Sequence, residues 1–181
     1  IANWTELDAR KEINQLIDEI RDKGFFISKD LILKTFLVLY SNDIKFKVTN
    51  FSRSNAKHFE EKWENIKLAL HSTFDLIKSY GFTDTTLTSK NAIIPIVYYL
   101  YHRNIYLEFH KKKSYEKDRE IIKKWLHIVL IKRIFGGQAD TILSKIRTVF
   151  TKDVSKKKID SSITEFPYDL IVKELKGTTK D

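Results

Sequence analysis

The sequence has no cysteine and no methionine, and among its 181 residues only two are proline and five glycine. Without cysteine the chain can form no disulfide, thiolate metal site or cysteine nucleophile. So few turn formers disfavour a fold of many short strands and favour long helices. No apolar run reaches the ~20 residues of a membrane span, and no signal peptide is visible. The expectation is a cytoplasmic protein with no membrane partner. The chain opens on Ile1 rather than methionine, which suggests a fragment of a larger protein. The phosphate-binding loop, the dinucleotide fingerprint, zinc-ligand spacing and the paired-histidine helix motif are all missing.

What is present is a large apolar and aromatic complement, 42% and 13% of residues. That is enough for a packed core in one domain. Charge is uneven along the chain. Residues 1–90 carry 14 Lys and Arg against 13 Asp and Glu, whereas residues 91–181 carry 19 against 11. An excess of positive charge in one half points to an anionic partner, with nucleic acid first.

Apolar periodicity predicts a succession of helices. Ile13, Leu16, Ile17 and Ile20 form the stripe of a first helix, which starts near Thr5 to Asp8 and ends at Gly24. Ser28 precedes a second, Lys29 to Tyr40, apolar round most of its circumference. Asp43 to Val48 alternates polar and apolar residues and predicts one short extended segment. A third helix, Asn55 to Tyr80, carries Phe59, Trp63, Ile66, Leu70, Phe74 and Ile77 at spacings of three and four and stops at Gly81. A fourth, Lys90 to His102, follows Thr88 or Ser89 and is expected to bend at Pro95. A fifth opens after Ser114 and runs through Trp125, Ile128, Val129 and Ile131 towards Phe135. Gly136 and Gly137 are expected to end it by taking positive φ, and Asp140 to cap a sixth. Pro167 opens a short seventh, Tyr168 to Leu175. The fold class is all-α, a bundle-like domain of six to seven helices over residues 1–176, with residues 177–181 starting a linker.

Four segments, taken in order, resemble a known family. They are Asp30 to Lys34; Asp43 to Phe51; Leu87 to Tyr101, which contains the run Asn91-Ala92-Ile93-Ile94-Pro95-Ile96-Val97-Tyr98-Tyr99; and Phe135-Gly136-Gly137-Gln138-Ala139-Asp140-Thr141. Their order and spacing are similar to the helical part of the large N-terminal module of GmrSD-type proteins. The likeness runs from about Leu31 to Pro167. It implies a bacterial or archaeal phage-defence protein, similar to type IV restriction enzymes that attack modified DNA. In that family a ParB/sulfiredoxin-like fold carries an Asp-Gly-Gln-Gln-Arg motif tied to nucleotide hydrolysis, and a His-Asn-His nuclease domain often follows. Neither motif occurs in this sequence. The resemblance therefore implies no catalytic, metal or cofactor-binding residue here. A nucleoside triphosphate would belong to the parent protein's other domain.

The expected function is a non-catalytic helical part of such a protein, supporting the nucleotide-hydrolysing domain and contacting double-stranded DNA. Candidate DNA-binding residues are Lys111, Lys112, Lys113, Arg119, Lys123, Lys156, Lys157 and Lys158, within a stretch rich in Lys and Arg. Gly136, Gly137, Gln138 and Asp140 are candidate interdomain contacts. The alternative is a free-standing interaction or oligomerisation module, presenting the stripe of Phe59, Trp63 and Ile66 to a second copy.

Overall fold

The computed structural model describes residues 7–41, 43–45, 53–152 and 158–176. Among these lie seven α-helices: α1 (Ala9–Asp22), α2 (Lys29–Tyr40), α3 (Arg53–Ser79), α4 (Ile94–His102), α5 (Glu116–Ile131), α6 (Ala139–Thr151) and α7 (Tyr168–Leu175). Two 3₁₀ turns, Lys90–Ile93 and Lys113–Tyr115, lead into α4 and α5. No strand occurs among the described residues, so the class is all-α. Asp43 to Lys45 are irregular, and the rest of the alternating stretch lies outside the described residues, as do residues 177–181.

Local chemistry explains the helix starts. Asp8 caps α1 by accepting the N–H groups of Arg10 and Lys11 at 3.0 and 3.1 Å. The Ser28 hydroxyl accepts the Leu31 N–H at 3.2 Å at the start of α2. Pro95 does not bend α4. It occupies the first turn, where its missing N–H would have had no helical acceptor in any case. Neither Ser89 nor Ser114 provides a side-chain cap. Ser89 has no side-chain cap bond, and Ser114 lies inside the turn before α5.

Four helices end in the same way, with one residue in left-handed backbone and an apolar residue after it. After α1, Gly24 has φ 95°, and the Phe25 N–H reaches back to the Ile20 carbonyl at 3.2 Å. After α3, Gly81 has φ 84°, and the Phe82 N–H meets the Ile77 carbonyl at 3.3 Å. Asn104 (φ 54°) and Ile105 do the same at the end of α4, and Arg133 (φ 51°) and Ile134 at the end of α5. Each motif satisfies carbonyls that a helix end would leave bare, and places an apolar residue over the last turn. The expectation for Gly136 and Gly137 is thereby corrected. The helix stops at Ile131 and Arg133 makes the left-handed turn. Gly136 is instead a close approach: a Cβ there would stand 3.0 Å from the Arg133 carbonyl oxygen.

α4 lies at the centre, buried at every position from Ile94 to Leu100. A helix apolar on all sides must be surrounded, and α2, α3 and α6 all pack on it. One hydrophobic core runs from Ile13 of α1 to Leu175 of α7. Phe59, Trp63 and Ile66 belong to that core and are 2% exposed or less. Trp63 also donates its indole N–H to Glu12 of α1 at 2.9 Å. The stripe foreseen as an oligomerisation surface is therefore used within the chain. Burying such a side chain contributes about 1.5–3 kcal/mol, enough to decide its placement.

Candidate functional site

The candidate basic residues fall into separate places. Lys111 and Lys112 are exposed in the loop before α5, and Lys113, also exposed, opens the 3₁₀ turn that follows. Lys112 pairs with Glu108 at 2.5 Å. One turn into α5, the Arg119 guanidinium folds back and donates to the carbonyls of Phe109 and Lys112 at 2.5 and 3.0 Å. Its donors brace the loop that carries the lysines. Lys123, four residues on, stands 5.8 Å from the centre of the Tyr80 ring. These five residues form one neighbourhood at the start of α5.

Lys158 is not part of it. Its charge bears on His102 at the end of α4, and His102 adjoins Tyr40, whose ring meets His58 of α3 at 4.5 Å. The lysine loop is anchored elsewhere on α3, where the His110 ring nitrogen meets the Ser72 carbonyl at 2.7 Å. Positions 58 and 72 of one helix stand about 21 Å apart. Lys156 and Lys157 lie outside the described residues.

The corner between α5 and α6 gathers the other candidates. Gly136, Gly137 and Gln138 are exposed. Gln138 takes the position before α6 without a side-chain cap bond, and Asp140 sits in the first turn rather than capping it. There Asp140 pairs with Lys34 of α2 at 2.8 Å. A carboxylate in a first helical turn also suits the positive end of the helix dipole. The pair ties the start of α6 to α2.

Beside this corner a cleft of about 570 Å³ opens between α5 and α7. α5 and its end line it with Trp125, Ile128, Val129 and Lys132; α7 and its end line it with Tyr168, Ile171, Val172, Leu175 and Lys176; Ile134 joins from the corner. Both helices contribute positions i, i+3, i+4 and i+7, one face each. Ile131 lies beyond this face and is 79% exposed.

A buried polar cluster, without a signature in the sequence, joins α4, α5 and the segment before α7. Asp118 accepts the Tyr99 hydroxyl at 2.5 Å and the Phe166 N–H at 2.8 Å. Arg103 donates to the Tyr99 oxygen at 2.9 Å and also to the Thr164 carbonyl. Burial lifts the Asp118 carboxyl above the usual carboxylate range, against the pull of its two donors and Arg103. Tyr99 is likewise held well above the ordinary phenol range, first by burial and then by the Asp118 charge. Such a cluster suits a structural clasp, because its groups face one another. It carries the segment before α7 onto α4 and α5. In sequence Asp118 reads as one of several mixed charges opening α5; in the fold it is 4% exposed, between Tyr99 and the Phe166 backbone.

No helix among the described residues is long and apolar enough to cross a membrane. No group of three or more metal-ligating side chains converges among them. No protein-family model matches the chain, and no curated protein matches it.

Proposed function

We infer that this chain is a non-catalytic helical module of a GmrSD-like DNA-restriction protein. In that role it supports a nucleotide-hydrolysing domain, which would hold the nucleoside triphosphate, and meets double-stranded DNA through the loop of Lys111, Lys112 and Lys113. The observation that carries the reading is how the resembling segments meet. Leu31 to Leu33, Ile93 to Tyr99 and Phe135 are buried parts of one core. The Lys34–Asp140 pair at 2.8 Å joins the first segment directly to the last, across the helix that contains the third. Three of the four resembling segments thus cooperate as one body, as a module retained for its shape requires; most of the second, Asp43 to Phe51, lies outside the described residues. The test is genetic. The flanking gene should encode an Asp-Gly-Gln-Gln-Arg motif in frame, and the complete gene, expressed in a sensitive host, should reduce plating of phages with modified DNA. A flanking frame without that motif, together with unchanged plating, would overturn the reading.

A second reading, a free-standing interaction module, is favoured by the exposure of Ile131 beside the α5–α7 cleft. Light scattering distinguishes a self-associating form: a stable dimer without DNA supports oligomerisation, and a monomer at all concentrations removes it.

A further inference from the structure

We propose that the α5–α7 cleft is a docking groove for a short acidic amphipathic helix of a partner protein. The proposal stands independently of the restriction reading.

The groove has an apolar floor and walls. Trp125, Val129, Ile171 and Leu175 are buried, and Ile128, Ile134 and Val172 are half-buried around them. Ile131, one turn beyond Ile128, extends this apolar surface to the outside. The charged groups that line the groove are both lysines, Lys132 and Lys176, with no carboxylate among the lining residues. Neither lysine makes an ion pair with another described residue.

The two helices run in the same sense along the groove. Trp125 meets Phe166 at 5.2 Å and Lys124 stands 4.9 Å from the Tyr168 ring, so α7 starts beside the middle of α5, and from there both helices line the groove. Lys132 and Lys176 directly follow the last residues of α5 and α7. Cations therefore mark one end of an apolar trough, at Lys132 and Lys176; at the other end Lys124, over the Tyr168 ring, shares a neighbouring cavity with Glu165 and Asp169. From position 125 to position 132 a helix rises about 10 Å, matching roughly two turns of an occupant. Such an occupant would insert aliphatic side chains at i, i+3 or i+4, and i+7, with Asp or Glu at the end beside Lys132 and Lys176.

The charge pattern selects among occupants. A second copy on a two-fold axis would offer this same face, which holds no carboxylate to meet Lys132 and Lys176. DNA phosphates would satisfy the lysines but leave the apolar floor unfilled, since phosphate contacts need no such surface. An acidic amphipathic helix satisfies both.

The test uses labelled synthetic peptides of about twelve residues, with leucines at helical spacing and either glutamates or lysines at one end. Binding is followed by fluorescence anisotropy and mapped by amide chemical-shift changes on the isotope-labelled chain. The expected result is saturable binding of the acidic peptide, with shifts confined to 125–134 and 168–176. Lys132→Glu combined with Lys176→Glu should weaken it by roughly three- to tenfold and improve binding of the basic peptide. Both lysines are exposed, and an unchanged circular dichroism spectrum checks that the double variant folds. Equal affinity for the two peptides would overturn the proposal. So would shifts centred elsewhere, or concentration-dependent shifts of the same residues without peptide, which would assign the groove to a second copy.

Discussion

The hydroxyl of Tyr99 donates to the carboxylate of Asp118 at 2.5 Å, joining α4 to α5 inside the core. Asp118 is only 4% exposed, and its other oxygen takes the Phe166 N–H. An amide offers one acceptor oxygen where the carboxylate offers two. Asp118→Asn should therefore leave one donor without its partner and cost about 1–3 kcal/mol. The pH dependence has a definite sign. Because burial raises the folded pKa of Asp118, its contribution is fully present below the unfolded value of about 3.9 and is lost as pH rises through the folded one. Urea denaturation of wild type and variant should show a penalty that is larger near pH 4 than near pH 7. A penalty that grows with pH would mean the carboxylate is stabilised by its partners more than burial opposes it.

His102 titrates in the opposite sense. Burial lowers its pKa to about 4, only partly offset by a bond to the Leu39 carbonyl, and nearby Lys158 lowers it further. The ring packs against Tyr98 at 4.3 Å and Tyr101 at 5.3 Å, and its enclosed Nε2 has no hydrogen-bond partner. A base whose folded value lies below its unfolded one contributes stability that is present at pH 7 and lost as pH falls from about 6.5 towards 4. The loss is at most about 3 kcal/mol. Thermal denaturation between pH 7 and pH 4.5 should show a steeper fall for wild type than for His102→Phe, which keeps the ring packing and removes the titration. Parallel profiles would refute this role for His102.

Local signals carried well from sequence to structure. α2 and α7 begin and end where their flanking Ser28 and Pro167 and their apolar runs place them. Gly24 and Gly81 end their helices because glycine accepts positive φ without strain. Arg133 and Asn104 perform the same task without that signature, so the end of α5 was expected in the wrong place. Long-range relationships were not legible at all. Lys34 and Asp140 are far apart in sequence, and Asp118 stands among charges in sequence while its partners Tyr99 and Phe166 are 19 and 48 residues away. The aromatic stripe of α3 was read with the correct period. Periodicity shows that a face is buried and leaves open what buries it, so it does not by itself assign Phe59, Trp63 and Ile66 to a second copy. The candidate basic residues were visible as charges, but the inward fold of Arg119 depends on carbonyls presented by the preceding loop.

On the restriction reading, the lysine loop makes a quantitative demand. Each phosphate neutralised releases condensed counterions, so affinity for a DNA duplex should fall steeply and linearly on logarithmic axes as salt rises. Changing Lys111, Lys112 and Lys113 together to Glu should reduce affinity at least tenfold at about 0.1 M salt and flatten the slope. Full retention of affinity in an anisotropy titration would remove this loop as the contact. Arg119→Gln makes a useful companion. Its effect should appear mainly in stability, because the guanidinium braces the carbonyls of Phe109 and Lys112.

Arg133 gives a prediction about backbone alone. It holds φ 51° at the end of α5, a region where a side chain with a Cβ is strained and glycine is not. Its N–H reaches the Leu130 carbonyl at 3.1 Å, and the next N–H, of Ile134, reaches Val129 at 3.0 Å. Both bonds are made by backbone, so replacing the exposed side chain leaves them intact. Arg133→Gly relieves the strain and adds some freedom to the unfolded chain. The first effect should exceed the second, giving a net gain of about 0.5–1 kcal/mol. Arg133→Ala separates the contributions: it keeps the Cβ and should gain nothing. Thermal or urea denaturation of the three proteins decides the matter. A glycine variant no more stable than the alanine one would mean that the turn after α5 is not held in left-handed backbone in solution.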